Sequence, residues 1–363
     1  MPGETNTLST SHTPQTFAKP RENMRDTSLD IAKGIGIVLV VLGHCLDGLV
    51  ASGFFPGNHD VAAYTVYLIY LFHMPLFFVV SGHLASGKHR PVHSTLAKLL
   101  PTIVYPYFLW SILEGLTMVL LGRFTNGHAQ ISSLFKILWI PIVPYWFLYS
   151  LFFCHLGFLA IRRFSPRLQL GIAVVIFLLL QPAVPTLETT HFTIVADTVR
   201  GFQYFILGAV SVTLVRRFGL RTAVWSSILY ALTAVGLSMS PFWGEVFSPA
   251  WVPSGVAGIV ATLAWSRMLA VGRSRVTDCL AFCGRYSMSI YVMHIFFTSG
   301  VRIALRHLAV EFAHQGPAPF AIATIVEIAG GTALGVALPL GVNWAVSRFS
   351  LDKWFGLQHM ETN

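Results

Sequence analysis

The chain has 363 residues, 54% of them hydrophobic and only 11% charged, with a formal net charge of +9. A soluble globular domain carries about a quarter charged residues, so this chain cannot coat a water-exposed surface, and its mean hydropathy of +0.66 agrees. A soluble enzyme is excluded. The basic residues lie in short segments between apolar runs, which argues against a nucleic-acid partner and for the charge asymmetry of a protein threaded through a bilayer.

Residues 1–28 read as a tail. The first 24 are rich in Ser, Thr, Pro and Asn, contain no apolar run and lack the pattern of a cleaved signal peptide. Ten apolar stretches follow: 31–50, 61–84, 96–121, 143–161, 168–185, 199–215, 221–240, 250–271, 286–306 and 319–346. At about 20 residues each, they predict an all-α polytopic membrane protein of about ten transmembrane helices within 29–349, with a short tail at 350–363. Segment 134–142 is shorter, is interrupted by Pro141 with Pro144 just beyond it, and reads as interfacial or re-entrant. Pro75, Pro101 and Pro106 lie inside spans and predict kinks rather than breaks. No internal repeat is visible, unlike the many transporters built from two related halves.

With the N-terminus in the cytoplasm, nineteen of the 24 Lys and Arg residues fall on that side. Only Arg123, Lys136, Arg200, Arg302 and Arg306 fall on the other. An even number of spans then leaves both termini cytoplasmic. The cysteines (Cys45, Cys154, Cys279 and Cys283) lack framework or metal-site spacing and read as small buried residues.

Ionisable groups inside apolar helices are costly, so they are the first candidates for function. The first span carries Asp30, Lys33, His44 and Asp47. Lys33 and His44 are three turns apart, about 16 Å of rise, and share one face. Asp30 and Asp47 extend the same stripe by one turn at each end. Two readings of the stripe stay open. Lys33 snorkels to the headgroups with Asp30 as its partner, and His44 hydrogen-bonds a neighbouring helix. Alternatively, His44 is a base whose basicity a carboxylate such as Asp47 raises.

The second span places His73, Pro75, Ser81 and Gly82 together, with Ser81 free either to face a cavity or to bond a carbonyl of its own helix. Further polar or amphipathic side chains are Glu114 in the third span, Tyr145 and Trp146 opening the fourth, Arg200 at the start of the sixth and His294 in the ninth. Taken singly, each of these has an ordinary structural role, as a helix–helix hydrogen bond or an interfacial aromatic.

Together LDIAKGIGIVLVVLGH (29–44), FHMPLFFVVSG (72–82), YWFLYSLF (145–152) and GRYSMSIYVMHIFF (284–297) resemble the acyltransferase family 3 membrane proteins. That family O-acylates sugars and other hydroxylated acceptors at the cell envelope. The lysine form of the first motif is most similar to the fucose 4-O-acetylase-type and exopolysaccharide O-acetyltransferase branch. The resemblance implies an acyl-CoA co-substrate, most often acetyl-CoA, entering from the cytoplasm, and no permanently bound cofactor or metal. It implies His44 as general base, Asp47 as its orienter, and Ser81 or His73 as donor to the developing oxyanion. Lys33, with Arg90, Lys98 or Arg285 as helpers, would hold the CoA phosphates, and Asp30 would belong to the same donor-binding end as the partner of Lys33. Glu114, Tyr145, Trp146, Arg200 and His294 would line the acceptor side.

Where the family usually carries Arg, this chain has Lys33, which keeps the charge but not the bidentate fork that arginine offers a phosphate. The implied partners are acyl-CoA, a carbohydrate acceptor that is free or lipid-linked, the bilayer, and proteins of envelope-glycan synthesis. The implied location is a bacterial inner membrane. A proton-coupled transporter and a non-catalytic envelope assembly protein are the alternatives from other classes.

Overall fold

The computed structural model describes residues 26–51, 59–87, 91–121, 131–189, 192–241, 249–315 and 317–360. Among them there is no strand. The helices run α1 (Thr27–Ala51), α2 (His59–Tyr70), α3 (His73–Ser86), α4 (Val92–Leu99), α5 (Tyr105–Leu121), α6 (Trp146–Ile161), α7 (Pro166–Leu180) and α8 (Val184–Thr189). They continue as α9 (Thr193–Val210), α10 (Val212–Val215), α11 (Leu220–Ser238), α12 (Val252–Val271), α13 (Arg275–Arg285), α14 (Ser287–Gln315) and α15 (Pro317–Arg348). The chain is thus an all-helical, multi-pass integral membrane protein.

Helices occupy all ten expected segments. Among the described residues, seven helical stretches are long and apolar enough to cross a membrane: Thr27–Ala51, Val61–Ser86, Val92–Leu120, Pro166–Thr189, Leu220–Ser238, Pro249–Val271 and Thr324–Arg348. Trp146–Ile161 is a shorter apolar helix. Two proline effects differ. Pro75 cannot donate to the carbonyl one turn before it, and a turn at residues 71–72 separates α2 from α3, so the expected kink is a short break. The freed Leu71 carbonyl faces Gly255, where a Cβ would lie 2.9 Å away. Between α4 and α5, the segment carrying Pro101 continues as a π-helix over Leu100–Val104 without interruption.

The core is organised around α1, which packs against α2, α3, α12, α13, α14 and α15. It is apolar on nearly every side, and Ile31, Ala32, Ile37 and Val41 are fully buried. Such a helix belongs inside a bundle, whereas one that keeps a wide apolar exposed face belongs against lipid. The rim shows the second pattern: α7 exposes Leu178 and Leu179, and α11 exposes Trp225 and Leu232.

Small residues let backbones meet where lipid gives no hydrophobic drive for association. A Cβ on Gly34 would strike the Leu280 carbonyl of α13, and one on Gly284 of α13 would strike the Asp30 carbonyl of α1. The α3–α9 crossing repeats the device, with Gly82 against the Phe205 carbonyl and Gly208 against the Val79 carbonyl.

Segment 131–138 is a 3₁₀ helix with Phe135 exposed and Ile137 buried. It is held where the Tyr107 hydroxyl donates to the Ile137 carbonyl and Tyr149 donates to that of Leu138 at 3.1 Å. After α15 the chain folds back on α5. Trp110 Nε1 donates to the Phe355 carbonyl at 3.0 Å and the Tyr105 hydroxyl to that of Trp354 at 2.6 Å. Cys45, Cys154 and Cys283 are buried as expected, but Cys279 is exposed, because it lies on the outer face of α13.

Candidate active site

The antiparallel register of α1 against α2 and α3 fixes which polar groups meet. A Cβ on Gly36 would touch Phe77, and one on Gly43 would lie 2.9 Å from the Tyr70 ring. The absence of a side chain at Gly43 therefore lets Tyr70 settle beside His44. The rings of His44 and Tyr70 are 6.4 Å apart, and those of Tyr70 and His73 are 4.9 Å apart. From α14, His294 completes the row at 5.1 Å from His44. The order is thus His294, His44, Tyr70, His73. His44 is half-buried at its centre, while His73 and His294 are buried.

Two of these rings have assigned roles. A carbonyl oxygen only accepts, so the contacts of His294 Nδ1 with the Tyr291 carbonyl at 2.7 Å and of His73 Nδ1 with the Ile69 carbonyl at 2.8 Å require N–H at Nδ1. Each neutral ring then presents an unprotonated Nε2. In His294 that nitrogen is buried without a hydrogen-bond partner. The resemblance implies Ser81 or His73 as the oxyanion donor, but the one N–H of a neutral His73 ring is spent on the Ile69 carbonyl.

His294 is held by a reciprocal staple between α14 and the approach to α6. The Tyr145 hydroxyl donates to the Val292 carbonyl at 2.9 Å, and the Tyr291 hydroxyl donates to the Pro144 carbonyl. Tyr145 and His294 are both fully buried, so neither lines an open acceptor site as expected. Tyr145 fixes the helix that carries His294, and His294 belongs beside His44.

Asp47 is exposed, and no hydrogen bond joins it to His44. Its electrostatic neighbours are Arg302 and Tyr70, so the expected role as orienter of His44 is not what this geometry provides. Ser81 is eight residues beyond His73 along α3, about 12 Å of rise. The register with α1 therefore puts it level with Lys33, not His44. It lines a separate cavity of about 290 Å³ with Lys98, Thr95, Thr102, His155 and Phe158. An oxyanion at His44 is out of its reach.

The other end of α1 is closed by charge pairing. Lys33 Nζ is 2.7 Å from Asp30 Oδ1, and the Asp30 side chain is only 5% exposed. Arg285 is exposed at the end of α13, adjacent to the Gly284–Asp30 contact, and so shares this end with Lys33. Lys98 is exposed on the rim of the Ser81 cavity. Arg90 lies outside the described residues.

The remaining expected acceptor residues lie apart from His44. Trp146 and Arg200 share a cleft with Asp197, Met74, Pro75 and Tyr204 that has room for about one water, roughly 10 Å³. Arg200 Nη1 is 2.6 Å from Glu188 and 3.9 Å from Asp197, so carboxylates of this chain already hold it. Glu114 is buried with Oε2 lacking a hydrogen-bond partner, and Tyr145 is an electrostatic neighbour.

Tyr70 and Arg302 were not singled out from the sequence. Tyr70 is one aromatic among many in the sequence, and only the packing of its helix over the Gly43 gap sets it beside His44. Arg302 lay in a loop-ward position that the charge asymmetry alone explained.

Comparison with known proteins supplies the chemistry. The acyltransferase domain model Acyl_transf_3 matches residues 26–344. The Nodulation protein NolL of Mesorhizobium japonicum is 31% identical over 162 residues, which is 42% of this chain and 39% of that protein. The Nodulation protein NolL of Sinorhizobium fredii is 34% identical over 137 residues, 35% of this chain and 34% of that protein. The matched regions thus span less than two fifths of these relatives' lengths. No solved structure matches the chain.

Proposed function

Because the chain belongs to the Acyl_transf_3 acyltransferase family, we propose that this membrane acyltransferase moves an acetyl or related acyl group from acyl-CoA to a hydroxyl of a cell-envelope or exopolysaccharide sugar. The single observation that carries this reading is the ring row around half-buried His44, with buried His294 on one side and Tyr70, then buried His73, on the other. In the reaction, a His44 ring nitrogen takes the proton of the acceptor hydroxyl as its oxygen attacks the thioester carbonyl. The carbon–sulfur bond then breaks, and the CoA sulfur leaves with the proton that His44 returns. In the reacting complex the other His44 N–H would be donated to His294 Nε2, which has no partner in the resting structure, and the basic nitrogen of His44 would then face the acceptor. The Tyr70 hydroxyl replaces Ser81 as the donor to the oxyanion.

On this reading the donor enters at the end holding Lys33, Arg285 and Lys98. Lys33 has three N–H donors, so it can keep Asp30 and still offer a hydrogen bond to a phosphate. With ten spans in a 29–349 transmembrane unit and both termini cytoplasmic, as the distribution of Lys and Arg favours, this end would lie at the cytoplasmic face of a bacterial inner membrane.

The test is acyl transfer from acetyl-CoA to envelope glycans by the purified chain in lipid nanodiscs. Relative to wild type, His44→Ala at equal folded amount is expected to lose at least about a thousandfold in kcat, at the strong end of general-base effects. Full activity of that variant would remove His44 from the mechanism. A wild type that turns over no acyl-CoA with any glycan would favour a transport or assembly role.

A further inference from the structure

One turn beyond His44, three helices bring charged side chains to a common level. Arg302 of α14 reaches α1 at Gly48, where an added Cβ would collide with the guanidinium Nη1. Its Nη2 is 3.4 Å from the Ser299 hydroxyl, a weak bond within its own helix. On α15, Gly331 approaches α1 so closely that a Cβ would lie 3.2 Å from the Cys45 sulfur, and Gly335 faces Val41. α15 is therefore antiparallel to α1. Glu327, one turn before Gly331 and on the same face, comes level with Gly48. It is 6% exposed, and its Oε1 has no hydrogen-bond partner. Arg302 has both Glu327 and Asp47 as electrostatic neighbours, while Asp47 stays exposed.

A buried carboxylate oxygen without a partner is costly unless a ligand completes it. Among the described residues the cluster offers one guanidinium as donor and two carboxylates as acceptors, so the balance of these three charges is negative. That combination suits a ligand rich in hydroxyls, which can donate to Asp47 and Glu327 and accept from Arg302. It repels a ligand that brings its own carboxylate.

We propose that Asp47, Arg302 and Glu327 form the acceptor mouth of the His44 site, and that this mouth selects neutral sugars over acidic ones. The inference rests on the acyl-transfer reading above. It places donor and acceptor at opposite ends of α1: Lys33 and Asp47 are 14 residues apart, about 21 Å of rise. Gly48 then has a specific task, since only a residue without a side chain leaves the guanidinium beside α1.

The test uses the full chain in nanodiscs with saturating acetyl-CoA and envelope glycans as acceptor. The competing probes are methyl glucoside and methyl glucuronide, which differ only in a hydroxymethyl or a carboxylate group at C6. The glucoside is expected to inhibit at a concentration about tenfold lower than the glucuronide, the effect of about one charge-assisted contact. Arg302→Ala should raise the acceptor KM about tenfold and leave the acetyl-CoA KM unmoved. Gly48→Ala, which keeps the charge but displaces it, should do the same and serves where Arg302→Ala fails to fold. Glu327→Gln should narrow the preference for the glucoside.

Equal or stronger inhibition by the glucuronide, no inhibition by either probe, or a change confined to kcat or the acetyl-CoA KM would overturn the assignment. Normal transfer with an unmoved acceptor KM in both Arg302→Ala and Gly48→Ala removes the mouth but leaves the acyltransferase reading standing. Failure of the wild type to acylate any glycan removes the reading itself.

Discussion

The two ends of α1 carry the same kinds of residue and treat them in opposite ways. At the Lys33 end, Asp30 and Lys33 pair at 2.7 Å and the backbone is pressed against α13 through Gly34 and Gly284. At the His44 end, the neighbouring His294 keeps a nitrogen without a partner, His44 is half-buried, and Asp47 is exposed. The first end satisfies its polar groups internally, as a membrane interior demands. The second leaves them unsatisfied, which is what a site awaiting substrate requires. One helix thus serves as a structural anchor over its first turns and as a reactive surface three turns later.

Substitutions at the two ends should therefore fail differently. The largest effect is expected from Gly34→Leu. Its side chain meets the Leu280 backbone carbonyl, which cannot rotate aside, so the cost should reach or exceed the upper part of the overpacking range, about 3 kcal/mol. Size-exclusion profiles in detergent should show loss of the monodisperse protein, in contrast to His44→Ala, which should fold normally and be inactive. A well-folded Gly34→Leu would mean that α1 and α13 are not locked together.

Lys33→Ala comes next. Removing the ammonium takes away the cation 2.7 Å from the buried Asp30 carboxylate, at a cost of about 3 kcal/mol in stability. Adding Asp30→Asn should recover most of that loss. If the double variant regains stability but keeps a raised acetyl-CoA KM, Lys33 has a role toward the donor as well as an anchoring one. If both recover together, the ion pair is purely structural.

The smallest effect belongs to His294→Gln, which retains hydrogen-bonding capacity but not the fixed imidazole. We expect kcat to fall about ten- to a hundredfold with little change in either KM, and the rise of the pH–rate profile to move, because the residue acts through His44. An unchanged profile would assign His294 to packing alone.

The sequence made much of this legible. The deficit of charged residues, the ten apolar stretches and the polar stripe on 30–47 mark a helical membrane protein and single out His44. The resemblance carried by four short segments then named a family that matches residues 26–344. The spacing of Lys33 and His44 on one face held because helical periodicity is a local property. Partners from other helices were harder to read. The resemblance implies Ser81 near His44, whereas the register of α3 carries it to the Lys33 end. Asp47, one turn away in sequence, is the orienter that the sequence points to, yet His294, 250 positions later, is the ring beside His44.

What the chain determined by itself is therefore what depends on neighbours a few residues apart: where helices form, which face of each is polar, and which helix is apolar all round and so buried. The tertiary structure alone decided which polar groups meet. That depends on the depth at which antiparallel helices slide past one another, and here the depth is set by backbone-to-backbone contacts at Gly34, Gly82, Gly208 and Gly284. A glycine in the sequence shows that two helices can approach; only the assembled bundle shows which carbonyl waits opposite it.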